Sequence, residues 1–193
     1  MNFSSDFNDN NLVFMDETKA KLLIVDDEPD IREILKETMG SIEDLPLEIE
    51  TAEDGQQALE KIRVTKYDAV LSDIRMPRMD GMELLTKIRG EGIFVPFVIL
   101  TGHGDKALTV EALQKGAMDF LDKPWKVEVL EVTIKKAIEV GQELNRWGHQ
   151  SAEAADIDNI RSENSVEAIE RLTKVIAQLA NENQGLKKKL EEK

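Results

Sequence analysis

The stretch Tyr67 to Gly81, YDAVLSDIRMPRMDG, decides the fold. Its apolar run, Ala69, Val70 and Leu71, ends at Ser72 and Asp73 and then breaks through Met76, Pro77 and an Asp80-Gly81 turn into a new helical pattern. That order describes a buried strand carrying one carboxylate at its C-terminal tip. In an open α/β sheet ligands bind at such tips, so Asp73 is the first candidate for chemistry. A strand-end aspartate is also a common turn or cap residue, so the reading depends on what else reaches the same edge.

Four more apolar runs flank this one. Lys21 to Val25 has no polar alternation, as expected of a strand covered on both faces, and ends in Asp26, Asp27 and Glu28. Pro29 suits a first helical turn, and Ile31, Ile34, Leu35 and Thr38 form one face of a helix ending near Gly40. Leu47 to Thr51 reads as a second strand, with Ala58, Leu59 and Ile62 as the buried stripe of the next helix. After the central stretch come Met82, Leu85 and Ile88 on a third helix, and then a strand over Val95 to Leu100 closed by Thr101, Gly102, His103 and Gly104. Leu108, Ala112 and Leu113 mark a fourth helix stopped at Gly116, and Met118 to Leu121 a fifth strand closed by Asp122, Lys123, Pro124 and Trp125. A long helical pattern follows through Leu130, Ile134, Ile138 and Leu144. Five strands alternating with helices predict right-handed crossovers and a doubly wound parallel sheet with helices on both faces.

Such a sheet brings every strand end to one edge. Asp26 and Asp27 come from the first strand, Asp73 from the third, Thr101 from the fourth and Lys123 from the fifth. Crowded carboxylates repel one another, and a hard cation relieves the cost; oxygen ligands without His or Cys favour Mg²⁺ over zinc. A carboxylate facing a metal, a hydroxyl and an ammonium is equipped to attack a phosphoryl group and hold the product.

These residues resemble the receiver domain of two-component response regulators over about Lys21 to Leu144. The resemblance rests on the pair Asp26-Asp27, on Asp73 in SDIRMPRMDG, on Thr101 in LTGHG and on Lys123-Pro124 in DFLDKPW. It implies a flavodoxin-like sheet of order 2-1-3-4-5, with Asp73 phosphorylated by a sensor histidine kinase or phosphotransfer protein. It further implies Mg²⁺ held by Asp27, Asp73 and the Arg75 backbone carbonyl, with Asp26 assisting through water, and a cis Lys123-Pro124 bond. Thr101 and Phe120 would form the switch pair. Phe120 stands where the family often has tyrosine, so the contact it regulates would be apolar. Arg75 and His103 occupy positions where side chains can shield the acyl phosphate from water, although His103 equally suits a solvated loop.

The rest of the composition bounds the class. A net charge of -14 over 193 residues argues against nucleic acid and against an anionic membrane surface, and the absence of cysteine excludes disulfides and thiolate chemistry. Residues 1–19 have neither the basic start nor the apolar core of a signal peptide and read as a disordered tail, with Phe3, Phe7 and Phe14 leaving a docking tail as the alternative. No run approaches the length of a membrane helix, so a cytoplasmic protein is expected.

After the receiver-like span 20–145, residues 146–193 read as a helical linker and a coiled coil. Ile169, Ile176, Asn183 and Leu190 fall at heptad position a, and Leu172, Leu179 and Leu186 at d. Ile at a with Leu at d, and one Asn at a, predicts a parallel homodimer. The expected function is therefore a non-enzymatic phosphoacceptor switch that signals to an unknown downstream protein. The alternatives are a truncated regulator whose output domain is absent and a constitutive dimeric scaffold. An aspartyl-phosphate phosphatase is disfavoured because Arg75 stands where haloacid-dehalogenase-like enzymes need a second Asp.

Overall fold

The computed structural model describes residues 19–42, 44–102 and 106–153, with side chains through residue 146 apart from Lys106. The element order is β1 (Ala20–Val25), α1 (Pro29–Gly40), β2 (Leu47–Ala52), α2 (Gly55–Val64), β3 (Ala69–Asp73), α3 (Gly81–Gly90), β4 (Phe97–Thr101), α4 (Lys106–Gln114), β5 (Asp119–Asp122) and α5 (Val127–Glu153). The five strands pair in parallel in the order β2-β1-β3-β4-β5, so the order in which strands are added to the sheet reverses at β1 and β3.

Side-chain alternation along the strands builds two cores. Leu23 and Val25 of β1 join Val70, Phe97 and Ile99 under α2, α3 and α4, where Leu59, Leu84 and Leu85 cover them. Leu22 and Ile24 join Leu71, Val98 and Leu100 on the other face, under Leu35 and Met39 of α1 and Leu130, Ile134 and Ile138 of α5. Burial on both faces explains why β1, β3 and β4 read as unbroken apolar runs.

The helix starts follow local chemistry. Pro29 opens α1. Asp54 caps α2 by accepting from the Gln57 N–H at 2.7 Å. Asp80 and Glu83 form a reciprocal capping box at α3. Gly116, at φ +92, ends the α4 turn in a conformation that glycine adopts freely.

Two expected core residues lie elsewhere. Ile34 is 50% exposed, because α1 turns Leu35 and Met39 to the sheet, and Leu113 is 39% exposed while Ala112 is buried. The fourth strand begins at Phe97 rather than Val95, and the fifth is shifted by one residue, with Asp119 opposite Val98. The helix left open beyond Leu144 continues to Glu153. The heptad seam from Ile169 to Leu190, His103 and residues 1–18 lie outside the described residues. Among those described, no helix is long and apolar enough to cross a membrane.

Candidate functional site

The C-terminal edge gathers four of the expected residues into one charged cluster. Asp26 follows β1 and is fully buried; Asp73 closes β3 at 7% exposure, and Thr101 closes β4 at 1%. Lys123 enters from the loop after β5, its backbone N–H donating to the Thr101 carbonyl at 2.7 Å, beside a cis Lys123-Pro124 bond. Its ammonium lies between two carboxylates, 2.8 Å from Asp26 Oδ2 and 2.7 Å from Asp73 Oδ1.

The remaining oxygens of the pair are anchored. Asp26 Oδ1 accepts from the Glu28 N–H at 2.9 Å, and the Asp26 carbonyl accepts from the Arg32 guanidinium at 2.6 Å. Asp73 Oδ2 accepts from the Arg75 N–H at 3.0 Å. Burial pushes the Asp73 carboxyl above its ordinary range; Lys123 opposes that shift, and the Asp26 charge adds to it. Burial would lower the Lys123 ammonium, but its bonds to Asp26 and Asp73 outweigh this and hold it above its ordinary value. The result is a desolvated carboxylate kept charged by one neighbour and strained by another.

The other expected residues are placed less tightly. Asp27 is exposed, as is Arg75. Among the described residues no group of three His, Cys, Asp or Glu side chains is positioned to hold a metal ion. In this conformation the expected crowding therefore extends to Asp26 and Asp73, with Lys123 between them. The Thr101 hydroxyl reaches only the Gly102 carbonyl, at 3.4 Å. Phe120 is half-buried and packs against the core beneath α2, α3 and α4.

The loop between β3 and α3 is held by contacts that local sequence does not announce. Gly81 sits so close to the strand that a Cβ there would lie 2.3 Å from the Asp73 carbonyl oxygen. Arg78 takes φ 65, unusual for a side-chain-bearing residue, and its guanidinium bonds to Asp54 and, at 2.9 Å, to Glu53. Although burial favours the neutral form of Asp54, the Gln57 N–H and the Arg78 charge together hold its carboxyl below the ordinary range. Met79 completes the tie, its carbonyl accepting from the Gly55 N–H at 3.0 Å. A methionine-proline turn ending in Asp-Gly signals the loop, but Arg78 and Asp54 are 24 positions apart and nothing local pairs them.

Comparison with known proteins agrees with this geometry. The response regulator receiver domain family matches residues 22–135. The C4-dicarboxylate transport transcriptional regulatory protein DctD of Pseudomonas aeruginosa is 37% identical over 126 residues, covering 64% of this chain and 26% of the relative. The transcriptional regulatory protein FixJ of Bradyrhizobium diazoefficiens is 36% identical over 121 residues, 63% of this chain and 58% of the relative. The chain thus spans about a quarter of one of these curated relatives and under two thirds of the other. Among solved structures, the receiver domain of NtrX from Brucella abortus aligns with a TM-score of 0.57 at 34% identity, covering 61% of this chain and 98% of that one. The signal receiver domain of a putative Luxo repressor protein from Vibrio parahaemolyticus gives 0.61 at 27% identity, over 66% and 96%.

Proposed function

This chain belongs to the response regulator receiver family, and from that premise we propose that it is a phosphoacceptor switch with Asp73 as the acceptor. Receivers take their phosphoryl groups from sensor kinases or phosphotransfer proteins and are in general switches rather than enzymes. The observation that carries the assignment to Asp73 is the bridge Asp26–Lys123–Asp73, in which a single ammonium binds both carboxylates at 2.8 and 2.7 Å.

The donor chemistry suits a hard cation, since the available groups are oxygens only and two are buried carboxylates. Asp27, Asp73 and the Arg75 carbonyl, with Asp26 through water, would hold Mg²⁺, which when bound neutralises charge on the phosphoryl oxygens. Asp73 supplies the attacking oxygen: its Oδ–P bond forms as the P–N bond of a phosphohistidine breaks, and the imidazole keeps the electron pair and takes up a proton. Lys123 binds a phosphoryl oxygen as a point charge, and the Thr101 hydroxyl donates to another. As Thr101 turns toward the phosphoryl group, the Phe120 ring moves inward, and the face made by α4, β5 and α5 changes shape. Arg75 and His103 would set the lifetime of the acyl phosphate.

Output would pass to a downstream protein through that face and through the seam from Ile169 to Leu190 acting as a parallel dimeriser. A second reading, a receiver within a longer regulator, is favoured by the relatives' greater length. Incubation with Mg²⁺ and a small phosphodonor should give a single acyl-phosphate adduct by mass spectrometry, lost in Asp73→Asn. An adduct that persists in that variant, or none in the wild type, would overturn the assignment.

A further inference from the structure

The N-terminal edge of the sheet, opposite the charged cluster, carries an apolar groove of about 510 Å³. It is lined by Ile93, Phe94 and Val95 from the loop before β4, by Tyr67 before β3, and by Leu144 on α5. Phe94 is 66% exposed and forms the outer wall of the groove, with the Arg89 guanidinium 5.9 Å from its ring centroid, so that it extends the apolar surface of Ile93 and Val95 to solvent. Lys66 gives this groove a basic side, next to Arg63, whose charge is already met by Glu91.

The chain enters the fold beside this groove. The Lys21 N–H donates to Asp68 Oδ2 at 2.8 Å, and the Asp68 N–H donates back to the Lys21 carbonyl at 2.8 Å. Asp68 Oδ1 then accepts at 2.8 Å from the side chain of Asn145, itself a wall of the groove. Whatever precedes Lys19 therefore starts one hydrogen-bonded residue away. The preceding residues 1–18 contain four acids, Asp6, Asp9, Asp16 and Glu17, and no base, and they carry the consecutive apolar residues Leu12, Val13, Phe14 and Met15. Phe14 lies six positions before Ala20, a reach of roughly 20 Å in extended chain, enough to span the groove.

We infer that the segment Leu12 to Met15 of this chain docks in the groove formed by Tyr67, Phe94 and Leu144, with the acids around it facing Lys66. The apolar side chains cover Phe94, the charges match, and the site is separate from the edge that carries Asp73. The proposal does not rest on the phosphoacceptor reading and stands or falls without it.

The absence of cysteine from these 193 residues allows a single spin label at Asn11→Cys in the whole chain. Docking predicts paramagnetic broadening concentrated on the amides of Gly92, Ile93, Phe94 and Leu144. Either Phe14→Ser or Phe94→Ser should lower the docked-to-free ratio by roughly tenfold or more, the factor that burying one phenylalanine supplies, and relieve the broadening accordingly. Phe94 lies outside the buried core, so its substitution keeps the fold. Broadening that is unchanged in both variants would mean a tethered segment that does not dock. Broadening seen only when labelled and isotope-enriched unlabelled molecules are mixed would assign the groove to a second copy. Protection of Phe94 that survives deletion of residues 1–18 would assign it to residues beyond Glu153. Each of these three results overturns the inference.

Discussion

Asp68 stands just before β3 and Asp73 closes it, and the two carboxylates live under opposite conditions. Asp68 is satisfied on both oxygens by neutral donors, the Lys21 N–H and the Asn145 amide, and its backbone abuts Gly141, where a Cβ would lie 1.8 Å from the Asp68 carbonyl oxygen. Asp73 is buried beside a second carboxylate and is balanced by a lysine that both must share. One end of the strand spends its aspartate on holding β1, β3 and α5 together. The other keeps its aspartate in a state that a phosphoryl group and a cation would improve. On the proposed function, stability and reactivity are divided between the two edges of one sheet.

The sharpest way to break this contrast is to remove the shared ammonium. Lys123→Ala leaves Asp26 and Asp73 facing each other in a buried site, and urea unfolding at neutral pH should show a loss of about 3 kcal/mol. Mg²⁺ should restore part of that loss if the edge accepts a cation. An unchanged unfolding midpoint would mean the cluster is better solvated than its burial implies.

At the other edge, Asp68→Ala removes an acceptor from the Lys21 N–H and from Asn145. A cost of about 1–2 kcal/mol is expected, with the rate of adduct formation at Asp73 unaltered. A slowed adduct rate would show that the two edges are coupled.

The smallest effect has the opposite sign. Asp73→Asn removes the strained charge and leaves Lys123 paired to Asp26, so the variant should be more stable than the wild type by about 1 kcal/mol near neutral pH. Because burial favours the protonated carboxyl in the folded state, the contribution of Asp73 to stability is fully present below the ordinary carboxylate range. It is lost as pH rises through the raised folded-state value. The advantage of the variant should therefore shrink toward acid, and a pH-independent difference would point to a cause other than ionisation.

The fold was legible because its signals are local. Most strands are short apolar runs closed by polar residues, and four of the five described helices begin or end beside Pro29, Asp54, Asp80 or Gly116. The charged edge was legible for a different reason: parallel topology sends every strand end to one place, so the sequence order of Asp26, Asp73, Thr101 and Lys123 is enough to gather them. Distances were not legible, and the outward position of Asp27 and the insertion of Lys123 between two carboxylates depend on side-chain geometry. Nor were the ties of Arg78 to Asp54 and of Asp68 to Asn145, which join residues 24 and 77 positions apart. Ile34 misled because a β-strand-covering helix buries a narrower stripe than its apolar residues suggest, leaving one of them at the margin.

The overhang of α5 has a consequence for anything joined to it. Among the residues with described side chains Asn145 is the last of α5 bonded to the sheet edge, and the helix runs on as residues 146–153, about 12 Å further. A continuous helix transmits angle as well as position. Inserting one residue within it would turn everything downstream by about 100°, whereas inserting seven would bring it back to within about 20° of its original bearing. The phase of that helix, more than its length, would then set which side of a downstream element faces the receiver.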